Sequence, residues 1–289
     1  MSPSWLRFPA FSLSSFAPRD QVLVGLSPER LSALHLGRGP RRRLLDKYEV
    51  NLTSDPAGGM GSTAGGVHWE PPVGALQALL SRPAWNRADV TVLLSNHYVH
   101  YAVMPLQKGL RESERDALAR VLFRKSYGDL CSTWEFRVSP ADAAAPTTLA
   151  SGVSQPLLNS IAGACTDGAR LRSVQPSLMP MFNRLRRTVG KGSGTLAVVE
   201  FGRVTLAHLE AGQWQSVVSR ADSGGLLFPL LDEENQLHER APGGLLWLCD
   251  LTGAVRIPPN SPWRVQQAAP DILDAGTPGV PELAAWGVM

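Results

Sequence analysis

One short pattern occurs twice in this chain: an apolar strand, a tight polar turn and a second apolar strand that runs back. The first copy spans Val22–Leu36 and breaks at Ser27-Pro28-Glu29; the second spans Leu196–Leu209 and breaks at Phe201-Gly202. Both copies are typical of β-hairpins, because β-branched and leucine-rich runs flank a short turn. A hairpin that is repeated in one chain predicts a fold built from two related halves.

The apolar pattern around the two hairpins predicts alternating strands and helices, the order of an α/β fold. We expect the strands at 90–94 and 98–104 to pair with each other. The helix at 112–127 should place Leu118, Val121 and Leu122 on its buried face and should end at Gly128. The other predicted elements are strands at 42–52, 134–138, 149–153, 171–174, 213–219 and 245–249, and helices starting near Pro71 and spanning 154–165 and 176–187.

The same pattern predicts where the chain divides. Residues 1–20 are expected to form a flexible N-terminal arm, with a docking segment for a partner or membrane as the alternative. Residues 21–190 would form the first half with an inserted α+β subdomain, and the glycine-rich Thr53–His68 a flexible loop. Residues 191–257 would form a shortened second half. Prolines between 258 and 270 predict an irregular C-terminal tail over 258–289.

Composition excludes several classes of function. A net charge of +3 is too small for a nucleic-acid binder. The three cysteines form no Cys-x-x-Cys pair, and the six histidines show no metal-ligand spacing, so we expect reduced thiols and no metal site. No apolar stretch approaches the ~18 residues that a membrane span needs. The run Arg41-Arg42-Arg43 is expected in a solvated loop, with contact to a phosphate or acidic partner as the alternative.

Two motifs are superficial matches to catalytic loops. Gly190–Thr195 contains a lysine among glycines, as phosphate-binding loops do, but the lysine precedes the glycines and a strand follows instead of a helix. Gly25-Leu26-Ser27 lacks the second glycine of a nucleophile elbow and also leads into a strand. We therefore assign no catalytic residue.

The whole pattern resembles the PilM family of type IV pilus assembly proteins and the related cytoplasmic domains of GspL type II secretion proteins, most closely the MshI type. The resemblance spans about Val22 to Arg220 and rests on four stretches. They are Val22–Leu36, Val90–Tyr101, Tyr127-Gly128 before Trp134–Arg137, and Leu171–Met179 running to Phe182-Asn183-Arg184. It implies an actin-like (ribonuclease H-like) α/β fold with duplicated mixed sheets and flanking helices.

The resemblance also implies a nucleotide cleft, which this chain keeps only in part. In the family the first phosphate turn carries an aspartate at the position of Gly25, and the second carries one at the position of Glu200. Ser27, Glu200, Gly202 and Gly253 are the remaining candidates for cofactor binding. Because one metal-orienting carboxylate is lost and the other lengthened, we expect neither efficient ATP turnover nor a resident Mg²⁺ or ATP.

The function that the resemblance implies is a cytoplasmic scaffold, peripheral at the inner membrane face. Its expected partner is a membrane pilus or secretion protein of the PilN kind, bound through a short cytoplasmic tail, with an assembly ATPase as a further expected partner. The alternative is a nucleotide-binding actin-like ATPase of weak activity, with Ser27, Glu200 and Gly202 around the phosphates.

Overall fold

The computed structural model describes residues 19–38, 43–52, 68–106, 109–139, 145–165, 168–189, 192–222, 225–268 and 283–287. The predicted N-terminal arm up to residue 18, the predicted loop from Thr53 to residue 67, and Arg41 and Arg42 lie outside these residues. So do residues 190 and 191 of the stretch Gly190–Thr195, which we expect to be a linker and not a phosphate-binding loop.

Thirteen strands and five α-helices are described, and nearly all coincide with predicted elements. The strands are β1 (Asp20–Leu26), β2 (Arg30–Leu36), β3 (Leu44–Asn51), β4 (Ala88–Leu94), β5 (His100–Pro105), β6 (Trp134–Val138), β7 (Thr147–Ser154), β8 (Arg170–Pro176), β9 (Gly194–Glu200), β10 (Arg203–Glu210), β11 (Gln213–Ala221), β12 (Gly244–Asp250) and β13 (Trp263–Gln267). The α-helices are α1 (Glu70–Leu80), α2 (Glu112–Tyr127), α3 (Gln155–Ala164), α4 (Leu178–Val189) and α5 (Leu227–Leu237).

The chain forms two compact units that interleave along the sequence. Among the described residues, the β1 unit contains those of 19–99, 153–177 and 283–287, and the β9 unit those of 100–152 and 178–268. The sequence analysis expected consecutive halves instead. The inserted segment 100–152, expected within the first half, groups with the β9 unit, and the end of the chain groups with the β1 unit.

The β1 unit is built on a five-stranded sheet in the order β3-β2-β1-β4-β8. The hairpin of β1 and β2 is antiparallel, with Gly25 opposite Ser32, and β1, β4 and β8 run parallel. β1, β2 and β4 are almost entirely buried, because helices cover a sheet that has parallel strands at its centre. The first predicted hairpin is confirmed.

The β9 unit repeats this plan in the order β11-β10-β9-β12-β13. The first three strands form an antiparallel meander, and β9, β12 and β13 run parallel, as their counterparts do. The prediction that 258–289 is irregular is therefore wrong for Trp263–Gln267, which supplies the fifth strand, and for Leu283–Gly287, which forms a one-turn 3₁₀ helix. Twelve residues join β12 to β13, where the first half carries the insertion and α3 between β4 and β8.

The insertion forms a third sheet, in the order β5-β7-β6, covered by α2. β5 pairs with β7 and not with β4, so the predicted pairing of 90–94 with 98–104 is wrong. In α2, Leu118 and Leu122 of the predicted buried face pack against the core of the insertion beside the fully buried Ala119 and Phe123, whereas the third predicted residue, Val121, is 64% exposed. Acidic residues in its first turn, basic residues in its last and Gly128 at its end confirm the predicted bounds.

Candidate functional site

A cavity of about 410 Å³ opens in the β9 unit at the carboxyl ends of the parallel strands β9 and β12. This edge of a parallel sheet is where α/β proteins place their ligands, because the loops that follow the strands diverge there. The lining includes two of the predicted site residues, Glu200 and Gly202. The other residues around the cavity are Val199, Phe201, Asp222, Gly225, Leu227, Phe228, Thr252, Ala254, Val255 and Arg256.

Glu200 is the last residue of β9 and is 5% exposed. Its register partner across the hairpin is Arg203. Burial lowers the pKa of Arg203, and the carboxylate of Glu200 opposes that shift. The same carboxylate adds to the effect of burial in raising the pKa of Tyr101, which is buried in the same unit. The charge of Glu200 thus stabilises the half-buried guanidinium of Arg203.

Gly202 closes the turn between β9 and β10. Its φ of +72° lies in the left-handed region, where a side chain would strain the backbone. Phe201, beside it in the turn, is 45% exposed although it is large and apolar. The second predicted phosphate turn is therefore a tight hairpin turn with an aromatic ring at the rim of the cavity.

The loop after β12 is organised by Asp250. One carboxylate oxygen accepts hydrogen bonds from the backbone N–H of Thr252 at 2.9 Å, from its hydroxyl at 2.7 Å and from the N–H of Gly253 at 2.9 Å. The other oxygen accepts from the N–H of Val255 at 3.0 Å. The backbone donor of Gly253, which the resemblance assigns to a nucleotide, is thus already bound to a carboxylate of this chain.

A second carboxylate sits at the start of α5. Asp222 Oδ1 accepts a hydrogen bond from the N–H of Leu226 at 3.3 Å, next to the first turn of the helix. Helix N-termini attract anions because their N–H groups lack partners within the helix. Here a side chain of the protein already occupies that position. The sequence analysis missed Asp222, Asp250 and Arg256 as residues of this site. Asp222 lies four residues before Leu226, whereas a recognisable helix-capping aspartate stands immediately before the apolar run.

Ser27 and Gly25 lie in the β1 unit, so Ser27 belongs to a different unit from Glu200, Gly202 and Gly253. The hydroxyl of Ser27 donates to the carbonyl of Arg30 at 2.8 Å, and its N–H donates to the same carbonyl at 3.0 Å. These bonds close the turn between β1 and β2. Ser27 therefore has a local structural role that accounts for its presence.

Gly25 is packed against the end of the chain. A Cβ atom placed on it would lie 2.7 Å from the backbone nitrogen of Ala284, from Cβ of Leu283 and from Oγ of Ser32. Contacts as short as this do not occur, so no side chain fits at this position while Leu283 and Ala284 stay in place. The position where the family carries its first carboxylate is filled by backbone.

Several groups of the predicted nucleotide site are already bound within the chain or are missing from it. The described residues contain no group of three or more acidic, histidine or cysteine side chains that could hold a metal ion. Gly25 offers no carboxylate, and the donors of Gly253 and Leu226 are bound by aspartates of the chain itself. We derive no catalytic step through a nucleotide.

The architecture, with two five-stranded mixed sheets of identical order and flanking helices, defines an actin-like fold. Solved structures of that fold are similar to this one. The cytoplasmic domain of EpsL, an inner-membrane component of the type II secretion system of Vibrio cholerae, matches with a TM-score of 0.56 at 12% identity, covering 86% of this chain and 90% of that domain. The PilM–PilN type IV pilus biogenesis complex gives a TM-score of 0.56 at 12% identity, covering 80% and 81%.

A Bacteroides thetaiotaomicron protein of actin-like ATPase fold and unknown function also matches, with a TM-score of 0.54 at 12% identity, covering 83% and 85%. The predicted fold and the predicted structural resemblance to PilM and to a type II secretion protein are thus confirmed. No protein-family model matches the sequence, and no curated protein does. In the part of the chain that the structure describes, every helix is too short or too polar to cross a bilayer.

Proposed function

We propose that this protein is a non-catalytic scaffold of a type IV pilus or type II secretion assembly platform. It acts at the cytoplasmic face of the inner membrane and binds a short cytoplasmic tail of a PilN-like membrane protein; an assembly ATPase is a further proposed partner. The proposal draws on the similarity to the EpsL cytoplasmic domain and to the PilM–PilN complex. At 12% identity, that similarity supports the fold, and the function remains our inference.

The observation that carries the non-catalytic part is the environment of Gly25. Phosphoryl transfer in actin-like enzymes depends on a carboxylate that positions Mg²⁺ and water. At Gly25 that carboxylate is absent, and the atoms of Leu283 and Ala284 lie 2.7 Å from where its Cβ would be. A single reverse substitution would not restore the site, because the aspartate would collide with backbone.

The candidate site in the β9 unit supports the same conclusion. Asp222 and Asp250 each accept hydrogen bonds from backbone N–H groups at the rim of the cavity. A phosphate would have to displace these carboxylates and would then stand beside them, where like charges repel. With Glu200 also in the lining and Arg256 exposed at its edge, the cavity has an acidic balance that disfavours a nucleotide triphosphate.

The test is direct binding of the tail. The cytoplasmic N-terminal peptide of a PilN-like membrane protein from the same organism would be labelled with fluorescein and titrated with the full chain, followed by anisotropy. We expect saturable binding at micromolar Kd, and a scrambled peptide of the same composition serves as the control. Equal binding of the scrambled peptide, or no binding up to millimolar protein, would contradict the scaffold proposal.

A weak actin-like ATPase is the second candidate, because Glu200 and Gly202 do line one cavity. The two candidates differ in one measurement, the release of phosphate from Mg–ATP by purified protein. Turnover that the Glu200→Ala substitution abolishes, while the fold is retained by circular dichroism, would favour the ATPase. Turnover equal in the variant and the wild type would come from a contaminant and would leave the scaffold standing.

A further inference from the structure

The strand β3 lies at the edge of the sheet in the β1 unit. It pairs with β2 on one side, and no other described strand adds to its far side. Its side chains are exposed along most of its length, and only Tyr48 and Val50 are half-buried. Leu44 and Leu45 are 44% and 50% exposed although they are large and apolar. Such an edge presents a row of backbone donors and acceptors to which a further strand can add.

The backbone groups that point away from β2 belong to alternate residues of β3. The N–H of Leu52 donates to the carbonyl of Glu29 at 2.7 Å, and therefore points toward β2. Because successive residues of a strand direct their N–H and C=O groups to opposite sides, those of Lys47 and Glu49 point away from β2. The N–H of Lys47 accordingly donates to the side chain of Asp46 at 2.8 Å.

Lys47 and Glu49 carry opposite charges two positions apart. When two copies of an edge strand pair about a two-fold axis, they run antiparallel, and each outward-pointing residue faces an outward-pointing residue of the other copy. With Tyr48 on the axis, Lys47 of each copy lies directly opposite Glu49 of the other. A shift by two residues in either direction places Lys47 opposite Lys47 or Glu49 opposite Glu49, which is destabilising. The sequence of β3 thus favours one register of pairing with itself.

The neighbours of these residues are compatible with that register. The ring of Tyr48 meets Trp85 edge-on with 6.4 Å between ring centroids, and Cζ of Arg82 lies 4.5 Å from the centroid of Tyr48, so the central residue is held by its own unit. Glu49 forms an ion pair with Arg30 at 2.8 Å. A carboxylate has two acceptor oxygens, so Glu49 can keep this partner and also accept from a lysine of the second copy.

We propose that β3 is a self-association surface, on which two copies of this chain pair their β3 strands antiparallel with Tyr48 at the two-fold axis. The two five-stranded sheets then form one continuous sheet. On pairing, the carbonyl of Glu49 from the second copy replaces the side chain of Asp46 as the acceptor for the N–H of Lys47. The contact is one strand long, which places it among the small interfaces of weak affinity. The inference goes beyond the proposed scaffold function and does not depend on it.

Analytical ultracentrifugation of the full chain tests this proposal through a charge exchange. We expect a monomer–dimer equilibrium with a Kd on the order of 100 µM. Lys47→Glu and Glu49→Lys should each weaken self-association at least tenfold, because like charges then face each other twice. An equal mixture of the two variants should restore a dimer of wild-type affinity or tighter, since every facing pair is again of opposite charge. Lys125→Glu, at an exposed position of α2, changes the net charge as Lys47→Glu does and should leave self-association unchanged.

Three results would overturn the proposal. The first is a wild-type chain that stays monomeric up to about 500 µM, well above the expected Kd. The second is a dimer that Lys47→Glu leaves intact, and the third is a mixture of the two variants that does not pair. Either of the last two places any contact between copies away from β3. Circular dichroism checks that each variant keeps the native spectrum.

The register has a separate readout. Under mild oxidation Tyr48→Cys should give a disulfide-linked dimer, because this residue lies opposite its own copy within the Cα separation that a disulfide needs. Asn51→Cys, an exposed position further along β3, should give none, and neither should the wild-type chain with its three cysteines. Adding Lys47→Glu to Tyr48→Cys should abolish the cross-link. Equal cross-linking at the two positions would contradict the proposed register.

Discussion

Substituting Gly25 by alanine tests the packing that the account depends on. The new Cβ would lie 2.7 Å from three atoms, of which Oγ of Ser32 can rotate away, whereas the nitrogen of Ala284 and Cβ of Leu283 move only with the C-terminal turn. Overpacking of this kind typically lowers the free energy of unfolding by about 1–3 kcal/mol. We therefore expect Gly25→Ala to lower the free energy of unfolding of the β1 unit by about 2 kcal/mol.

The assay is urea denaturation, followed by circular dichroism and by tryptophan fluorescence. Gly74→Ala, within α1 of the same unit, is the matched control and should be neutral or stabilising by about 0.5–1 kcal/mol, because alanine is the better helix former. If Gly25→Ala is as stable as Gly74→Ala, the C-terminal turn does not occupy the position described here, and the argument that a carboxylate cannot fit at residue 25 fails.

Three further predictions concern the β9 unit. Asp250→Ala should lower its stability by about 2–3 kcal/mol, since N–H groups of the loop lose a charged acceptor; a thermal midpoint equal to wild type would contradict this. Burial and Arg203 lower the pKa of His100 to about 4. The unfolded chain therefore takes up a proton first, and stability should fall by up to about 3 kcal/mol between pH 6.5 and 4. His100→Gln should reduce that fall in stability measured by urea denaturation and leave the smaller share of His208, which is less buried and whose pKa burial also lowers to about 4; an unchanged profile would refute the role of His100. Glu200→Gln should lower the free energy of unfolding by about 1–3 kcal/mol, because Arg203 loses its charge partner. Adding Arg203→Leu should recover part of that loss. If the effects of the two substitutions simply add, the two side chains are not coupled.

Local patterns in the sequence account for most of the fold. The period of the apolar residues, together with the turn residues that flank them, predicts the two hairpins, the helix at 112–127 and the buried strand at 245–249. Even the repeated strand order follows from the duplicated hairpin. The strand Trp263–Gln267 was not predicted, because prolines surround it. A strand at the edge of a sheet nevertheless tolerates prolines close by.

The candidate site was harder to predict from the sequence, because several of its important contacts join residues that are far apart in the chain. That β5 pairs with β7 depends on about forty residues of intervening chain, and the packing of Gly25 depends on Ala284. The resemblance supplied Glu200 and Gly202, which do share a cavity. It could not show that Asp250 occupies the N–H of Gly253, since a hydrogen bond three residues back along the chain leaves no distinctive pattern.

The central claim is that this actin-like fold has lost the chemistry of nucleotide binding, and calorimetric titration of the full chain with Mg–ATP tests it most directly. The account predicts no saturable heat up to millimolar nucleotide, at protein concentrations where circular dichroism shows the native fold. A Kd in the micromolar range that weakens at least tenfold on Glu200→Ala substitution would contradict it.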